Sequence, residues 1–219
     1  MPAKTEFDDF STIYDKFNDF ISLKTHKHVK TKALRLLNVR GGDKVLDLCT
    51  GTGDVAIILK KLAPNALVTG VDISTNMLEI AKKRTSQIEF IKADVCELPF
   101  AEKTFDVAVT AFGLRNVTER EKAINEISRI LKNGGKFLHI DFSKENKLAY
   151  FIFKMLVILG AKLFGARKIP YKYFLNSIDS TPQKSELLQE FEQVGLTHKT
   201  TFSQMFGVVQ TNLFIKNSQ

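Results

Sequence analysis

Tryptophan is absent from this sequence, and cysteine occurs only twice, at positions 49 and 96. Two isolated cysteines exclude a disulfide framework and a multi-cysteine zinc pattern, and they point to a reducing compartment. Histidine is scarce as well. None of the four histidines stands at ligand spacing from a cysteine or an acid, so no metal is expected. His26 and His28 are two apart, which on a helix turns them to different faces. With few prolines there is no Pro/Gly-rich linker, and no repeat or low-complexity tract divides the 219 residues, so one domain is expected. A targeting segment is not expected either. Residues 1–15 carry Glu6, Asp8, Asp9 and Asp15 beside Lys4 and lack a signal-like pattern, which favours a cytoplasmic setting.

Acids are the minority charge. The net charge is +8 and the sequence pI is about 9.4. Such an excess suits an anionic partner, either nucleic acid or a membrane surface, or it serves solubility alone. The lysines gather in residues 24–40 and 162–172. No RNA-binding module or aromatic-interleaved basic motif accompanies them, so nucleic acid is not the expected partner.

What is present is an alternation of strand-like and helix-like segments. Residues 44–49, 66–72, 88–94, 105–112 and 136–142 read as apolar strands. Residues 54–63, 76–85 and 118–131 read as helices between them. Thr118 and Glu121 are spaced as a capping box for the last of these, and Gly134–Gly135 is the expected stop. Strands apolar nearly throughout predict an α/β fold with a mostly parallel sheet covered by helices on both faces. Beyond residue 143 the pattern changes. Residues 148–165 form a long apolar helix, Thr181–Pro182 opens another that runs to Gly195, and residues 197–204 and 208–216 read as two closing strands.

Gly51-x-Gly53-x-x-Ala56 follows the first strand and opens a helix, and Asp72 ends the next strand about twenty residues later. The glycines permit close backbone approach to a ligand, and Asp72 suits the ribose hydroxyls of any adenosine cofactor. Alone, this pattern fits a nicotinamide-dependent oxidoreductase equally well. Two further acids shift the balance. Asp47 lies inside the first strand, where a carboxylate suits an ammonium and opposes a pyrophosphate. Asp94 ends the third strand, where it can accept from an adenine amine. An acid-lined pocket favours a cationic sulfonium over a dianionic cofactor. Asp54, next to the loop, is read as a helix cap.

In VLDLCTGTGD, the acid of GVDIS and the strand-end acid of KADVCELPF, the sequence resembles the class I methyltransferases. More narrowly, it is similar to the ubiquinone/menaquinone biosynthesis C-methyltransferases. The supporting segments are Tyr14-Asp15-Lys16-Phe17-Asn18 with Ser22 and His26, then DISTNML (72–78), LPF (98–100), FGLRNV (112–117), RILKNGGKFLHIDFS (129–143), YKYFLNSI (171–178) and Gly207-Val208-Val209. The resemblance covers nearly the whole chain. It departs from the family at Phe17 (for methionine), Val29 (for tryptophan), Asn133 (for proline), Asp141 (for glutamate) and Ala111 (often serine).

The resemblance implies a Rossmann-like class I methyltransferase with a seven-stranded, mostly parallel sheet and a helical insertion before the last two strands. Residues 1–40 would be an N-terminal helical lid, 41–143 the cofactor-binding core, and 144–219 the substrate-side helices and closing strands. The implied cofactor is S-adenosyl-L-methionine, contacted by Asp47, Gly51, Thr52, Gly53, Asp72, Ile73, Asp94, Val95 and Ala111. The implied reaction is C-methylation of demethylmenaquinol to menaquinol, the last step of menaquinone biosynthesis, with a polyprenyl-methoxybenzoquinol of ubiquinone biosynthesis as the alternative. A prenylated quinol would then be the partner, and a homodimer is compatible with the family. A methyltransferase of RNA or a small metabolite, and a cofactor-binding protein without catalysis, remain the other readings.

Ring carbons become nucleophilic when a neighbouring hydroxyl loses its proton, so a base and a stabiliser of the phenolate are required. Arg115 and Asn116, just after the fourth strand, are the candidates for stabilising and orienting it, unless Arg115 merely pairs with an acid. Asp141 is the candidate base, with His26 behind it. Cys49 and Cys96 read as small buried residues. The helix at 148–165 falls short as a membrane span because a mid-helix Lys154 costs ~2.5–3.5 kcal/mol. Lys147, Lys154 and Lys162 share one side of it, which predicts either a core helix or an interfacial one in reversible contact with the inner face of the cell membrane.

Overall fold

Five apolar runs, all but the third followed by a turn and a helix, fold into the parallel half of one sheet. The computed structural model describes residues 25–164 and 171–218. Helix α1 (His26–Leu34) and a 3-10 turn lead into β1 (Lys44–Leu48). Then follow α2 (Asp54–Leu62), β2 (Leu67–Asp72), α3 (Thr75–Arg84), β3 (Glu89–Lys92), β4 (Phe105–Ala111), α4 (Arg120–Ile130) and β5 (Leu131–Phe142). Three helices come next, α5 (Lys147–Phe164), α6 (Tyr171–Asp179) and α7 (Lys184–Gln193), before β6 (Leu196–Gln204) and β7 (Val209–Lys216) close the sheet.

The strand order is β3-β2-β1-β4-β5-β7-β6. The pairings from β3 to β5 are parallel, while β7 runs antiparallel to both β5 and β6. Strand alternation divides the apolar side chains between two faces. Val45, Val107, Val109 and Leu138 bury one face against α1, α2 and α3. Leu46, Leu48, Ala108 and Phe137 bury the other against α4 and α7. There Phe137, Phe191 and Phe214 are fully buried with ring centroids 4.7–5.9 Å apart, each contributing ~1.5–3 kcal/mol by burial alone. A third cluster joins α5 and α6 through Phe153, Val157, Leu175 and Ile178. This is the expected fold, with the helical insertion where the sequence placed it.

Several local expectations need correction. Helix α4 starts at Arg120 with Glu119 at its cap position, so the Thr118–Glu121 box does not form. Counting from Glu119, the third helical position is Lys122, which pairs with the Glu119 carboxylate at 2.5 Å. The helix also ends before Gly134–Gly135, because Leu131 already pairs with Phe105 in the sheet. Residues 132–135 instead form a bulge, where register shifts between Phe105 and Val107. Thr181 does not cap α7, since its hydroxyl donates back to Ser177 O (3.2 Å). Gln183 takes that place in a capping box with Glu186. Helix α6 was not expected from periodicity. Residues 1–24 lie outside the described residues, and with them Tyr14, Asp15, Lys16, Phe17, Asn18 and Ser22. Val29, where relatives have tryptophan, is buried in the cluster on the α1 side.

Candidate functional site at the carboxyl edge of the sheet

The strand order reverses between β1 and β4, and open parallel sheets form their ligand crevice at such a point, beyond the carboxyl ends of the strands. Along this edge stand Asp94 after β3, Asp72 at the end of β2, Asp47 in β1, Arg115 after β4 and Asp141 in β5. Residues far apart in sequence are thereby brought to one edge in spatial order, acids first, then the arginine with its own acid.

Asp47 is almost fully buried, at 1 % exposure. Its Oδ2 accepts from Thr50 Oγ1 at 2.5 Å and from Ala56 N at 3.0 Å, the latter in the first turn of α2. Its Oδ1 takes no hydrogen bond among the described residues. Burial pushes its pKa up to about 7, despite the two hydrogen bonds and the nearby Lys30 charge, and Asp72 adds to the rise. Asp72 is fixed by backbone donors, Gly51 N to Oδ2 at 2.8 Å and Ser74 N to Oδ1 at 2.9 Å. Asp94 is exposed and accepts from Cys96 N at 2.9 Å.

The glycine loop follows from its backbone. Gly53 sits at φ 84° as the cap residue of α2, and a Cβ there would approach the Phe90 ring at 3.0 Å. Gly51, at φ 55°, would place a Cβ with no atom within 4 Å, leaving its backbone bare to a ligand. Thr52 is buried, with its hydroxyl and carbonyl both accepting from Arg84 Nη1. Ile73 stands 45 % exposed beside Asp72. Val95 buries its side chain in the cluster on the α4 side, and Ala111 packs on the opposite one.

Asp54 does not cap the helix. Its carboxylate pairs with Lys30 at 3.1 Å and with Arg84 at 2.6 Å, tying α1 and α3 to the loop. Burial alone would raise its pKa, but the Lys30 and Arg84 charges prevail and hold it well below the usual range. Cys49 and Cys96 are not poised as thiolates. Burial and the surrounding acids push Cys49 well above its ordinary value, and Cys96 rises to about 11.

At the other end of the edge, Arg115 pairs with Asp141, Nη1 to Oδ1 at 2.9 Å, with side-chain exposures of 5 % and 3 %. Arg115 also donates to Phe112 O and, through Nε, to Ser177 Oγ at 3.2 Å. Its guanidinium lies 5.2 Å from the Phe142 ring centroid and 5.5 Å from that of Phe174. Asp141 Oδ1 accepts a second bond from Phe142 N at 2.8 Å. Among the described residues its Oδ2 takes no hydrogen bond, and His139 Nε2 lies 3.9 Å from it, beyond hydrogen-bonding distance. Burial lowers His139 to about 4, so it is neutral at physiological pH. Asn116 Oδ1 accepts from Tyr173 OH at 3.3 Å. The His26 side chain lies outside the described residues.

Sequence reasoning named Arg115, Asn116 and Asp141 without their surroundings. Tyr173, Phe174 and Ser177 all lie in the segment YKYFLNSI, whose resemblance to the family was the available signal; its role as a wall on Arg115 needs α6, which periodicity did not reveal. Lys30 and Arg84 had no signal, because ion pairing across the fold leaves none in spacing.

Comparison with known proteins places the chain in a family and a fold. The Staphylococcus aureus (strain JH9) protein named demethylmenaquinone methyltransferase is 36% identical over 219 residues, covering 96% of this chain and 91% of that one. Among solved structures, a methyltransferase in complex with a Haloferax volcanii methyltransferase activator superposes with a TM-score of 0.76 at 20% identity, covering 97% and 98% of the two chains. A SAM-dependent methyltransferase of Thermotoga maritima gives 0.72 at 20% identity, covering 97% and 99%. These two show the fold, which is that of SAM-dependent methyltransferases. Residues 3–216 match the ubiE/COQ5 methyltransferase family, and the chain belongs to that family.

Proposed function

We propose that the protein transfers a methyl group from S-adenosyl-L-methionine to a ring carbon of demethylmenaquinol, producing menaquinol as the last step of menaquinone biosynthesis. The observation that carries the substrate class is the buried Arg115–Asp141 pair between Phe142 and Phe174, at the ends of β4 and β5. The kinship with a named demethylmenaquinone methyltransferase supports the naphthoquinol.

The residues of the acid side fit the cofactor. Asp47 Oδ1 suits an ammonium, the bare backbone at Gly51 suits close approach, and the exposed Ile73 beside Asp72 suits an adenosine. Thr52 and Val95 would serve through their backbone, their side chains being engaged elsewhere. When bound, S-adenosyl-L-methionine supplies an activated methyl on a sulfonium.

The chain must then hold the quinol in line, exclude water and manage one proton. Positioning can supply ~7–11 kcal/mol at its upper limit. The flat aromatic walls Phe142 and Phe174 suit a fused ring. Asp141 Oδ2 takes the proton of the hydroxyl neighbouring the reacting carbon, and Arg115 holds the phenolate that forms. Once the methyl is in place the ring carbon gives up its own proton and the oxygen regains one from Asp141, which restores the aromatic quinol with a net loss of one proton. Three contacts and two ring faces fix Arg115, so it need not reorganise as charge develops. Asn116, steadied by Tyr173, orients the hydroxyl.

The test incubates purified protein with S-adenosyl-L-methionine and reduced demethylmenaquinone bearing a short prenyl tail, followed by mass. A gain of one methyl, abolished in Asp72→Ala and reduced in Arg115→Ala, is expected. Methylation of a polyprenyl-methoxybenzoquinol instead would move the reading to the ubiquinone branch. No transfer to either quinol, with cofactor still bound, would refute it.

A further inference from the structure

Helix α5 is apolar on two sides, and the described residues cover only one. Tyr150, Phe153, Val157 and Ala161 are buried against α6 and the β5 end. On the opposite side Leu148, Phe151, Ile152, Met155, Leu159 and Leu163 are each at least half exposed. At 100° per residue these six fall within an arc of about 120°, and at ~1.5 Å per residue they extend over ~22 Å. Exposed large apolar side chains scattered singly are ordinary; six in one stripe mark an interaction surface.

Two observations say what the stripe meets. The first is charge. The helix has no Asp or Glu. The exposed Lys147 stands just beyond one edge of the stripe and the exposed Lys162 just inside that edge near its carboxyl end, neither with an ion-pair partner among the described residues. Lys154 does not join them, since it pairs with Asp179 at 2.9 Å and lies over the Tyr150 ring. An apolar face bordered by unpaired lysines suits the boundary between acyl chains and anionic headgroups. The second is Phe206, which is 91 % exposed and held at φ 56°, a backbone region where a bulky residue is a true outlier. Its carbonyl accepts from Asn146 Nδ2 at 2.9 Å, and Asn146 Oδ1 in turn accepts from Ala149 N in the first turn of α5. The strained turn thus fixes an exposed aromatic ring at the amino end of the same helix. No helix among the described residues is long and apolar enough to cross a membrane.

We infer that α5 lies in the plane of an anionic lipid bilayer, with its outer stripe inserted, Lys147 and Lys162 at the headgroups, and Phe206 as an added anchor. The inner side of the same helix touches the catalytic wall, for Phe153 stacks on Phe142 with centroids 5.1 Å apart. One helix therefore separates the bilayer from the Arg115 site. A substrate with a prenyl tail could leave the tail in lipid while its ring reaches the site. Only this last consequence rests on the quinol reading; the surface itself does not.

The test is flotation of the full chain with vesicles of phosphatidylcholine, with and without roughly a third of phosphatidylglycerol. Tighter binding to the anionic vesicles is expected. The double change Met155→Glu with Leu159→Glu should reduce it more than ~tenfold, and Phe206→Ser should reduce it less. Neither variant should alter methyl transfer to a short-tailed quinol in solution, since neither site lines the catalytic wall. Equal binding by the double variant, or no binding by the unaltered protein, would overturn the inference. So would a dimer in light scattering that the double change splits, which would make the stripe an interface between copies. Vesicle binding as described together with no transfer to any quinol would leave the surface standing and remove the quinol reading.

Discussion

Asp47 is a buried carboxylate with no cation hydrogen-bonded to it among the described residues, and its proposed role toward the cofactor has a measurable consequence. Its pKa of about 7 means that about a tenth of the molecules carry the charge at pH 6 and about half at pH 7. If the ionised form holds the cofactor's ammonium, affinity must rise with pH as the proton leaves. Titration calorimetry with S-adenosyl-L-methionine from pH 5.5 to 7 should give a Kd that falls about 15-fold, approaching tenfold per unit at the acid end. The window stops at 7 because an α-amino group deprotonates near 8. Asp47→Asn should bind weakly with a flat profile. The same group affects stability with the opposite sign. Its folded pKa lies above the ordinary 3.8, so the cofactor-free fold carries no penalty below that value and a growing one as pH rises toward 7. At its full extent the penalty is about 4 kcal/mol. Asp47→Asn should therefore raise the melting temperature of cofactor-free protein at pH 8 and leave it unchanged at pH 4. A flat affinity profile for the unaltered protein, or an equal slope in Asp47→Asn, would refute the assignment.

Arg115→Ala should lower kcat about 10²–10³-fold with a smaller change in KM, since the role proposed for Arg115 is on charge that exists only as the reaction proceeds. Arg115→Lys should recover only part, because one ammonium cannot reproduce the guanidinium's bonds to Asp141, Ser177 and the Phe112 carbonyl; steady-state kinetics separates the two. Gly53→Ala places a Cβ 3.0 Å from the Phe90 ring at φ 84°, and should cost about 1–3 kcal/mol in urea denaturation. Asp54 has a depressed pKa, so the stability it contributes is present above about pH 4 and lost as pH falls through its folded value. Asp54→Asn should thus narrow its stability gap to the unaltered protein under acid, in melting curves from pH 6 to 3.

The sheet and its cofactor edge were legible because both depend on local pattern. Apolar runs of strand length, a glycine turn after the first and an acid at or near the end of each of the first three need no long-range information. What the sequence hid were contacts that pair distant residues. Asp54 looked like a cap because caps are local, yet Lys30 and Arg84 reach it from two other helices. The Thr118 box failed because α4 begins at Arg120, which puts Glu119 and not Thr118 at the cap position, and Thr181 was already engaged by the end of α6. Helix α6 escaped notice although its segment resembled the family, since its role is to present Phe174 and Ser177 to Arg115 rather than to cover the sheet.

The two nearly buried carboxylates solve opposite problems on one sheet edge. Asp141 has its cation supplied by the chain, and the pair is close to neutral, so it can face an acceptor that becomes anionic without repelling it. Breaking such a pair by removing one partner costs ~3–5 kcal/mol, so the arrangement stands with or without ligand. Asp47 has no cation among its hydrogen-bonding partners in the described residues, and on the proposed function the ligand brings one. Exchanging the two would defeat both. An arginine beside Asp47 would compete with the cofactor's ammonium, and an unpaired carboxylate at β5 would raise the energy of a nearby phenolate by about 4 kcal/mol at 4 Å and an effective dielectric of 20. On the proposed function, the order of charges across β3, β2, β1, β4 and β5 separates a cation-binding half from an anion-stabilising half, and the reversal of strand order between β1 and β4 is where they meet.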